Sequence, residues 1–150
     1  MLFRSSGTEL QITSGGVLSF VTAPEYTDGK YVYTATVTAT DASSNSSTQD
    51  ITVTVNDKIA PVFTSSDTFS VDESITETAI GTVTAYDNSE KGITYAVSGT
   101  ELEITSGGVL SFVTAPEYTD SKYVYTATVT ATDSSSNSST QDITVTVNDK

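Results

Sequence analysis

The most regular pattern of apolar and polar positions lies in residues 123–132. Every second residue from Tyr125 to Ala131 is apolar, and the residues between them are threonines. This period of two is typical of a β-strand with one buried face. Residues 143–147 show the same alternation and predict another strand, while residues 133–141, rich in serine and asparagine, predict a loop.

Turn signals divide residues 59–150 into seven predicted strands. Gly107-Gly108 is a two-residue hairpin signal, and Ser65-Ser66-Asp67 predicts a break in the first strand. The predicted strands cover residues 62–74, 78–86, 93–97, 102–105, 109–114, 123–132 and 143–147. Seven short strands indicate an all-β, Ig-like Greek-key β-sandwich. The abundance of threonine and valine favours the same class.

The chain contains a near-perfect internal repeat. Residues 7–58 and 99–150 are identical except at Gln11/Glu103, Gly29/Ser121 and Ala42/Ser134. The period of 92 residues is that of a whole domain rather than of a solenoid unit. We therefore predict a partial repeat at residues 1–58, comprising the last four strands, and a complete repeat at residues 59–150 of a tandem array.

The partial repeat lacks its first three strands, except that Leu2-Phe3 can stand in for a piece of the third. Its apolar faces, at Val17, Phe20, Val37 and Ile51 among others, have no complete partner sheet. Unpaired strand edges and the entropy of ordering both disfavour such a half sandwich. We expect residues 1–58 to be poorly ordered or to pair with the same segment of a second chain, forming a dimer.

The junction between the two copies is the segment 55–63. The strand-like run before it stops at Asn56-Asp57, and Pro61 forces Ala60 into an extended conformation. Asn and Asp both offer oxygen ligands, so this linker is a natural place for a hard cation such as Ca²⁺.

Charge and composition exclude several classes of function. The chain has 19 acidic and 6 basic residues and a formal charge of −13, which disfavours binding to nucleic acid or to anionic membranes. There is no Cys and no His, so disulfides and the common nucleophile–base arrangements are excluded, and we predict no enzymatic activity. No apolar run approaches a membrane span. The N-terminus does not resemble a signal peptide, so any export signal is expected outside this sequence.

Several motifs, taken in order, resemble the cadherin repeats, and specifically the cadherin-like tandem repeats of bacterial surface adhesins. The matching segments are Ala60-Pro61-Val62-Phe63, Val71-Asp72-Glu73, Gly81-Thr82, Ala85-Tyr86-Asp87, Pro116-Glu117-Tyr118, the alternating run from Tyr125 to Asp133, and Asn148-Asp149. The match covers residues 59–150 and, by repetition, 7–58. The resemblance implies a cadherin-like sandwich, an extracellular or cell-surface location, and a role in adhesion.

In that family calcium lies between successive repeats, so the resemblance implies a set of metal ligands. They are Glu25 from the first copy, Asn56 and Asp57 from the linker, and Glu73, Asp87 and Asp133 from the end of the second copy that meets the linker; weaker candidates are Asp28, Glu117, Asp120, Asn148 and Asp149. The strand order agrees for Asp87 and Asp133, because both follow strands that end beside the linker. Either residue is alternatively a turn acid that accepts backbone hydrogen bonds.

The sequence departs from the family pattern at three acidic positions. Thr54, Ser89 and Thr119 stand where the family has carboxylates, and Asp120 follows directly after the last of these. The resemblance with these departures implies one or two weakly bound ions, at roughly 10⁻⁴–10⁻³ M.

The function predicted from the sequence is a calcium-stiffened stalk module of an adhesin, whose partners are the neighbouring repeats and a homophilic or cell-surface ligand. Two alternatives stay open. One is a metal-independent Ig-like spacer. The other is a carbohydrate-binding or homophilic recognition module, for which Tyr26, Tyr31, Tyr118 and Tyr123 offer an aromatic surface, unless they cover the end of the core.

Overall fold

The computed structural model describes residues 1–74, 76–89 and 92–150. These residues form strands and connecting turns without any helix, and thus contain no helix that is long and apolar enough to cross a membrane. The strands are β1 (Leu2–Ser5), β2 (Leu10–Ile12), β3 (Leu18–Phe20), β4 (Val32–Thr40), β5 (Ser46–Thr54), β6 (Val62–Phe63), β7 (Thr68–Asp72), β8 (Ala79–Thr82), β9 (Ala85–Tyr86), β10 (Thr94–Val97), β11 (Leu102–Ile104), β12 (Val109–Phe112), β13 (Val124–Thr132) and β14 (Ser138–Asn148).

The chain divides into two compact units. Unit 1 is Met1–Asp57 and unit 2 is Lys58–Lys150. The boundary follows Asp57, so the short linker between the copies belongs to the end of unit 1 and the start of unit 2.

Unit 2 is a sandwich of two main sheets. One sheet has the order β10-β13-β14-β7 and the other β11-β12-β8, with a small β6-β9 pair beside them. All pairings are antiparallel except that of β14 with β7, which run parallel from Thr144↔Thr68 to Asn148↔Asp72. The first strand of the repeat thus joins the sheet that contains the last. The predicted Greek-key β-sandwich is confirmed.

The core of unit 2 follows from the alternation in the sequence. Val129 and Ala131 of β13 are fully buried, as are Val145 and Val147 of β14, whereas the threonines between them face outward. Leu110 of the opposite sheet is also fully buried. Apolar residues on alternate positions of both sheets therefore meet in one cluster, which is the main source of stability for such a fold.

The structure confirms the predicted break in the first strand, which is split into β6 and β7, and corrects two other strand predictions. The second predicted strand is split into β8 and β9. Between them the N–H of Val83 donates a hydrogen bond to the carbonyl of Gly108, at 2.8 Å. The last strand begins at Ser138, because residues 138–142 pair through the backbone despite their polar side chains.

Unit 1 contains the counterparts of β10 to β14 only. Its sheets are β1-β4-β5 and the hairpin β2-β3. Phe3 of β1 pairs with Ala39, the same register as Tyr95 with Ala131 in unit 2. Residues 2–5 therefore occupy the place of β10 although their sequence differs, as expected for Leu2-Phe3, and unit 1 has this strand in addition to the predicted four. Among its described apolar residues only Leu10 and Ala35 are buried.

Candidate metal centre

Three buried carboxylates meet where the chain enters unit 2. One oxygen from each of Asp57, Asp87 and Asp133 lies within 4.8 Å of those of the other two. The three residues are only 5–6% exposed. Asp87 follows β9 and Asp133 follows β13, so the Greek-key topology brings both strand ends to Asp57, the residue immediately before unit 2.

Asp133 organises its own loop. One carboxylate oxygen accepts hydrogen bonds from the backbone N–H groups of Ser135 and Asn137, both at 2.8 Å, and the other accepts one from the Asn137 side chain at 2.9 Å. Asp133 is therefore a turn acid, and that role needs no metal. A carboxylate has room for about four acceptor sites, so these bonds leave capacity for a cation.

Asp87 is less well satisfied. Its Oδ1 accepts a hydrogen bond from the Ser89 N–H at 2.8 Å, whereas its buried Oδ2 has no hydrogen-bond partner among the described residues. The fully buried Ser89 hydroxyl has none either. A buried carboxylate oxygen without a donor is costly, and in native proteins it usually marks a bound ion or water. Asp87 Oδ2 is the strongest local sign of a ligand.

The donor set fits a hard divalent cation. Carboxylate oxygens are the preferred ligands of Ca²⁺, and oxygens on opposite sides of one Ca²⁺ are about 4.6–5.2 Å apart. The separation of at most 4.8 Å between the three carboxylates is compatible with one ion that contacts all of them. No Lys or Arg among the described residues forms an ion pair with Asp87 or Asp133.

Glu73 does not lie at this end of unit 2, and the expectation that it joins Asp87 and Asp133 there was wrong. It follows β7, which runs parallel to β14 and ends beside Asn148. Its carboxylate accepts hydrogen bonds from the backbone N–H groups of Tyr118 and Lys150, both at 3.0 Å. The Lys150 bond, followed by the Tyr118 bond, lowers the pKa of Glu73. β7 runs in the same direction as β14, so both strands end at the C-terminal end of unit 2. Glu73, which follows β7, therefore lies at that end.

The other candidates in unit 2 also lie at this C-terminal end. The Asn148 side chain donates hydrogen bonds to Ser70 and Asp72, and the ammonium of Lys150 lies 3.4 Å from the Asp72 carboxylate. Asp149, Glu117 and Asp120 are exposed. Unit 2 therefore carries acidic residues at both ends, and only those at its N-terminal end form a buried cluster among the described residues.

The remaining candidates are in unit 1. Asn56 is exposed although its neighbour Asp57 is buried, and Glu25 is exposed in the loop after β3. Asp28, partly buried, accepts a hydrogen bond from the Tyr26 hydroxyl at 3.4 Å. Of the six principal candidates, the structure thus brings together Asp57, Asp87 and Asp133.

Ser89 is a residue near the cluster in sequence whose burial the sequence did not suggest. Ser89 stands where the family motif has a carboxylate. In the structure it is completely buried, two residues after Asp87. A serine hydroxyl is itself an oxygen donor for hard cations. Burial after a strand end is visible only in three dimensions, so no signal in the sequence distinguished it from a surface serine.

The tyrosines of unit 2 are divided between the core and the surface, because Tyr123 is 41% exposed whereas Tyr118 is partly buried. Tyr118 and Tyr123 stack at 5.5 Å between ring centroids, and Tyr118 and Tyr125 pack against the buried cluster. The Lys122 ammonium lies over the Tyr125 ring at 4.9 Å. This arrangement favours the structural role for Tyr118 and Tyr125, but not for the exposed Tyr123.

Comparisons with known proteins show the fold. No protein-family model matches the sequence, and no curated protein matches it either. Human protocadherin-24 EC1-2 has a TM-score of 0.69 at 17% identity over 99% of this chain and 82% of that chain. Drosophila N-cadherin EC1-4 has a TM-score of 0.66 at 20% identity over 98% of this chain, which spans 41% of it. Chicken VE-cadherin EC1-2 has a TM-score of 0.56 at 23% identity over 99% of this chain and 84% of that chain. The fold is therefore that of cadherin extracellular repeats.

Proposed function

We propose that the chain is a non-catalytic, calcium-binding cadherin-like repeat from a bacterial cell-surface or secreted adhesin, in which it serves as a stalk module. The observation that carries this proposal is the buried cluster of Asp57, Asp87 and Asp133, in which Asp87 Oδ2 has no hydrogen-bond donor among the described residues. The near-identity of the two copies supports a tandem array. The likeness to cadherin extracellular repeats supports an extracellular location and a role in adhesion.

The three carboxylates have different roles in the proposed site. Asp87 and Asp133 are held by strand ends and by their own turns, so two ligands are in place before any ion arrives. Asp57 belongs to the linker. An ion bound by all three supplies positive charge that offsets their mutual repulsion and ties the linker to the end of unit 2. In a tandem array, each linker fixed in this way makes the stalk stiffer.

The test is a thermal melt of the 150-residue chain in EDTA, in millimolar Ca²⁺ and in millimolar Mg²⁺. Calcium is expected to raise the melting temperature of unit 2 by several degrees, because a ligand at about one to ten times its Kd adds roughly 0.4–1.4 kcal/mol to the native state. Magnesium is expected to do much less, since it prefers a small octahedral site and keeps its waters. Identical melts in all three buffers contradict the proposal and favour the metal-independent spacer.

The Asp87→Asn variant tests the ligand assignment. It keeps the size and one oxygen of the side chain but removes the charge, and we expect it to abolish most of the response to calcium. Asp142→Ala is the control, because Asp142 is exposed on β14 and accepts a hydrogen bond from Thr128. If Asp142→Ala weakens the calcium response as much as Asp87→Asn, the assigned site is wrong.

A further inference from the structure

Each unit has an open pocket that is separate from the metal centre. In unit 2 the pocket has a volume of about 450 Å³ and lies between the residues before β11, the end of β12 and residues 113–122. The corresponding residues of unit 1 form a pocket of about 510 Å³. Both volumes are in the range of small-molecule sites, roughly 300–1,000 Å³. The chain therefore carries the same candidate binding site twice.

The walls of the pocket come entirely from the shared sequence. None of the three positions at which the copies differ lines either pocket. In unit 2 no residue of 59–98, the part outside the shared sequence, lines it either. Tyr118 and Tyr123, the aromatic surface suggested by the sequence, are not part of the walls. The pocket is thus a different surface from those tyrosines and a property of the repeat itself.

An ion pair forms part of the wall in unit 2. The Lys122 ammonium contacts the Glu101 carboxylate, and both side chains are about half exposed. The ammonium also lies 4.9 Å from the centroid of the Tyr125 ring. The hydrogen bond to Glu101 raises the pKa of Lys122, so the ammonium stays charged at neutral pH. A charged donor therefore stands beside a charged acceptor, and a ligand in the pocket can reach both.

The backbone holds both side chains of the ion pair in place. The N–H of Lys122 donates to the carbonyl of Thr119 at 2.9 Å and to its hydroxyl at 3.0 Å, which closes a tight turn. The carbonyl of Glu101 accepts a hydrogen bond from the N–H of Val113 at 2.9 Å. Unit 1 repeats the arrangement through Glu9, Val21, Thr27, Lys30 and Tyr33. The site is therefore formed in advance of any ligand.

The chemistry of the wall favours a ligand with several neutral hydroxyl groups. Hydroxyls can donate to Glu101 and accept from Lys122 at the same time, without separating the pair. An anion is repelled by Glu101, by Glu117 and by the net charge of −13. A simple amine would use the carboxylates and leave the ammonium without a partner. Val113, which is 54% exposed, adds an apolar surface to the wall.

We propose that this pocket binds a neutral saccharide, whose hydroxyls bond to Glu101 and Lys122 while C–H groups of the sugar ring pack against Val113. A small ligand in an open pocket makes few contacts, so a millimolar Kd is expected for each pocket. In a tandem array, which rests on the function proposed above, one polysaccharide engages several pockets at once. Its overall affinity then exceeds that of a single pocket.

The probes are four neutral sugars, glucose, galactose, mannose and N-acetylglucosamine, each titrated into the isotope-labelled 150-residue chain and followed by NMR chemical shifts. The titration is run in EDTA and again in Ca²⁺, because no wall residue belongs to the metal centre and binding is expected in both buffers. We expect at least one sugar to give saturable shifts at the pocket residues of both units. Absence of saturable shifts with all four sugars overturns the proposal, and so do shifts located elsewhere. Neither result bears on the calcium-dependent melt.

Matched variants test the assignment of the ion pair. Lys122→Met keeps the apolar stem but removes the donor, and it is expected to weaken binding in unit 2 at least about tenfold while unit 1 still binds. Lys30→Met is expected to do the same in unit 1. Shifts of amides far from the pocket, in the same spectra, show whether each variant is folded.

Glu103→Gln is the control. Glu103 is exposed on β11 but does not line the pocket, and unit 1 already has Gln11 at this position. Sugar binding in unit 2 should therefore be unchanged. Equal weakening by Glu103→Gln and Lys122→Met contradicts the proposed contacts, as does full binding by folded Lys122→Met.

Discussion

The two copies of the repeat share 49 of 52 residues but not their surroundings. In unit 2 the shared strands are covered by residues 61–86, and eight apolar side chains form a buried cluster. In unit 1 the buried apolar residues are Leu10 and Ala35, at 4% and 8% exposure. The comparison shows that an alternating pattern determines which face of a strand is apolar, while burial depends on the strands that arrive from elsewhere.

The largest expected difference between the copies is in hydrogen exchange. In a dilute monomer, amides of β4 should exchange about a thousandfold faster than those of β13, because a half-covered sheet opens at much lower free energy than a complete sandwich. Mass spectrometry can separate the two signals through peptides that include Ala42 or Ser134, where the sequences differ. Equal protection in a demonstrated monomer would show that unit 1 is independently stable.

The next largest difference is expected from matched core substitutions. Leu110→Ala should destabilise unit 2 by about 2–5 kcal/mol, because it creates a cavity at a fully buried site. Leu18→Ala should cost unit 1 much less, since Leu18 is already 38% exposed. Urea denaturation of each variant measures the two effects. Similar costs would mean that the Leu18 side chain is buried in solution.

A third matched pair, Asp41 and Asp133, distinguishes the role of the carboxylate in forming the loop from its role in binding metal. Asp41 makes the same hydrogen bonds to Ser43 and Asn45 as Asp133 makes to its counterparts, but Asp41 is exposed and has no part in the cluster. The hydrogen bond from the Asn45 side chain is the main cause that lowers the pKa of Asp41.

Asp41→Ala and Asp133→Ala should therefore each remove the hydrogen bonds that hold the loop. Each should lower the metal-free melting temperature by an amount typical of the loss of a turn-capping side chain. Only Asp133→Ala should also remove the calcium-dependent rise in melting temperature. The comparison of metal-free and calcium-loaded melts measures both effects. Loss of the calcium response in Asp41→Ala would contradict the assignment of the site to unit 2.

The smallest expected effect concerns pH and is confined to unit 2. Glu73 has no counterpart in unit 1, and its pKa is lowered from the ordinary value of 4.5 by bonds from Lys150 and Tyr118. A depressed pKa means that the charged form stabilises the fold above pH 4.5, and that this stability is lost as the pH falls through the native pKa. Glu73→Gln should lower the melting temperature slightly at pH 7 and differ little from the parent chain at pH 3. A constant difference at both pH values would rule out the charge as its cause.

Much of the fold could be predicted from the sequence, because strands with one buried face leave a clear period of two. The alternation in β13 and the glycine pair before β12 are examples of such local signals. The early start of β14 and the extension of β1 beyond the expected Leu2-Phe3 could not be predicted, because their pairing uses the backbone and leaves little trace in the side chains. In both cases the neighbouring strand decides the outcome.

The candidate site was only partly predictable for a related reason. Asp87 and Asp133 follow strands that end at the same edge, so strand order was sufficient to bring them together. Glu73 was assigned to the wrong end, because its position depends on the parallel pairing of β7 with β14, and nothing in the local sequence reveals the direction of a partner strand. The burial of Ser89 has the same origin in tertiary structure.

The parallel pair of β7 and β14 also determines how unit 2 responds to being stretched. These strands are near the beginning and the end of the unit, and they point the same way along five paired residues. A pull on the two ends of the unit therefore slides one strand along the other, so that the hydrogen bonds between them are loaded together in shear. These hydrogen bonds cannot break one at a time, as those of a β-hairpin do when its two ends are pulled apart. Mechanical resistance in this geometry is set by the rate of a single concerted rupture, and it belongs to unit 2 alone, because unit 1 lacks the first strand of that pair.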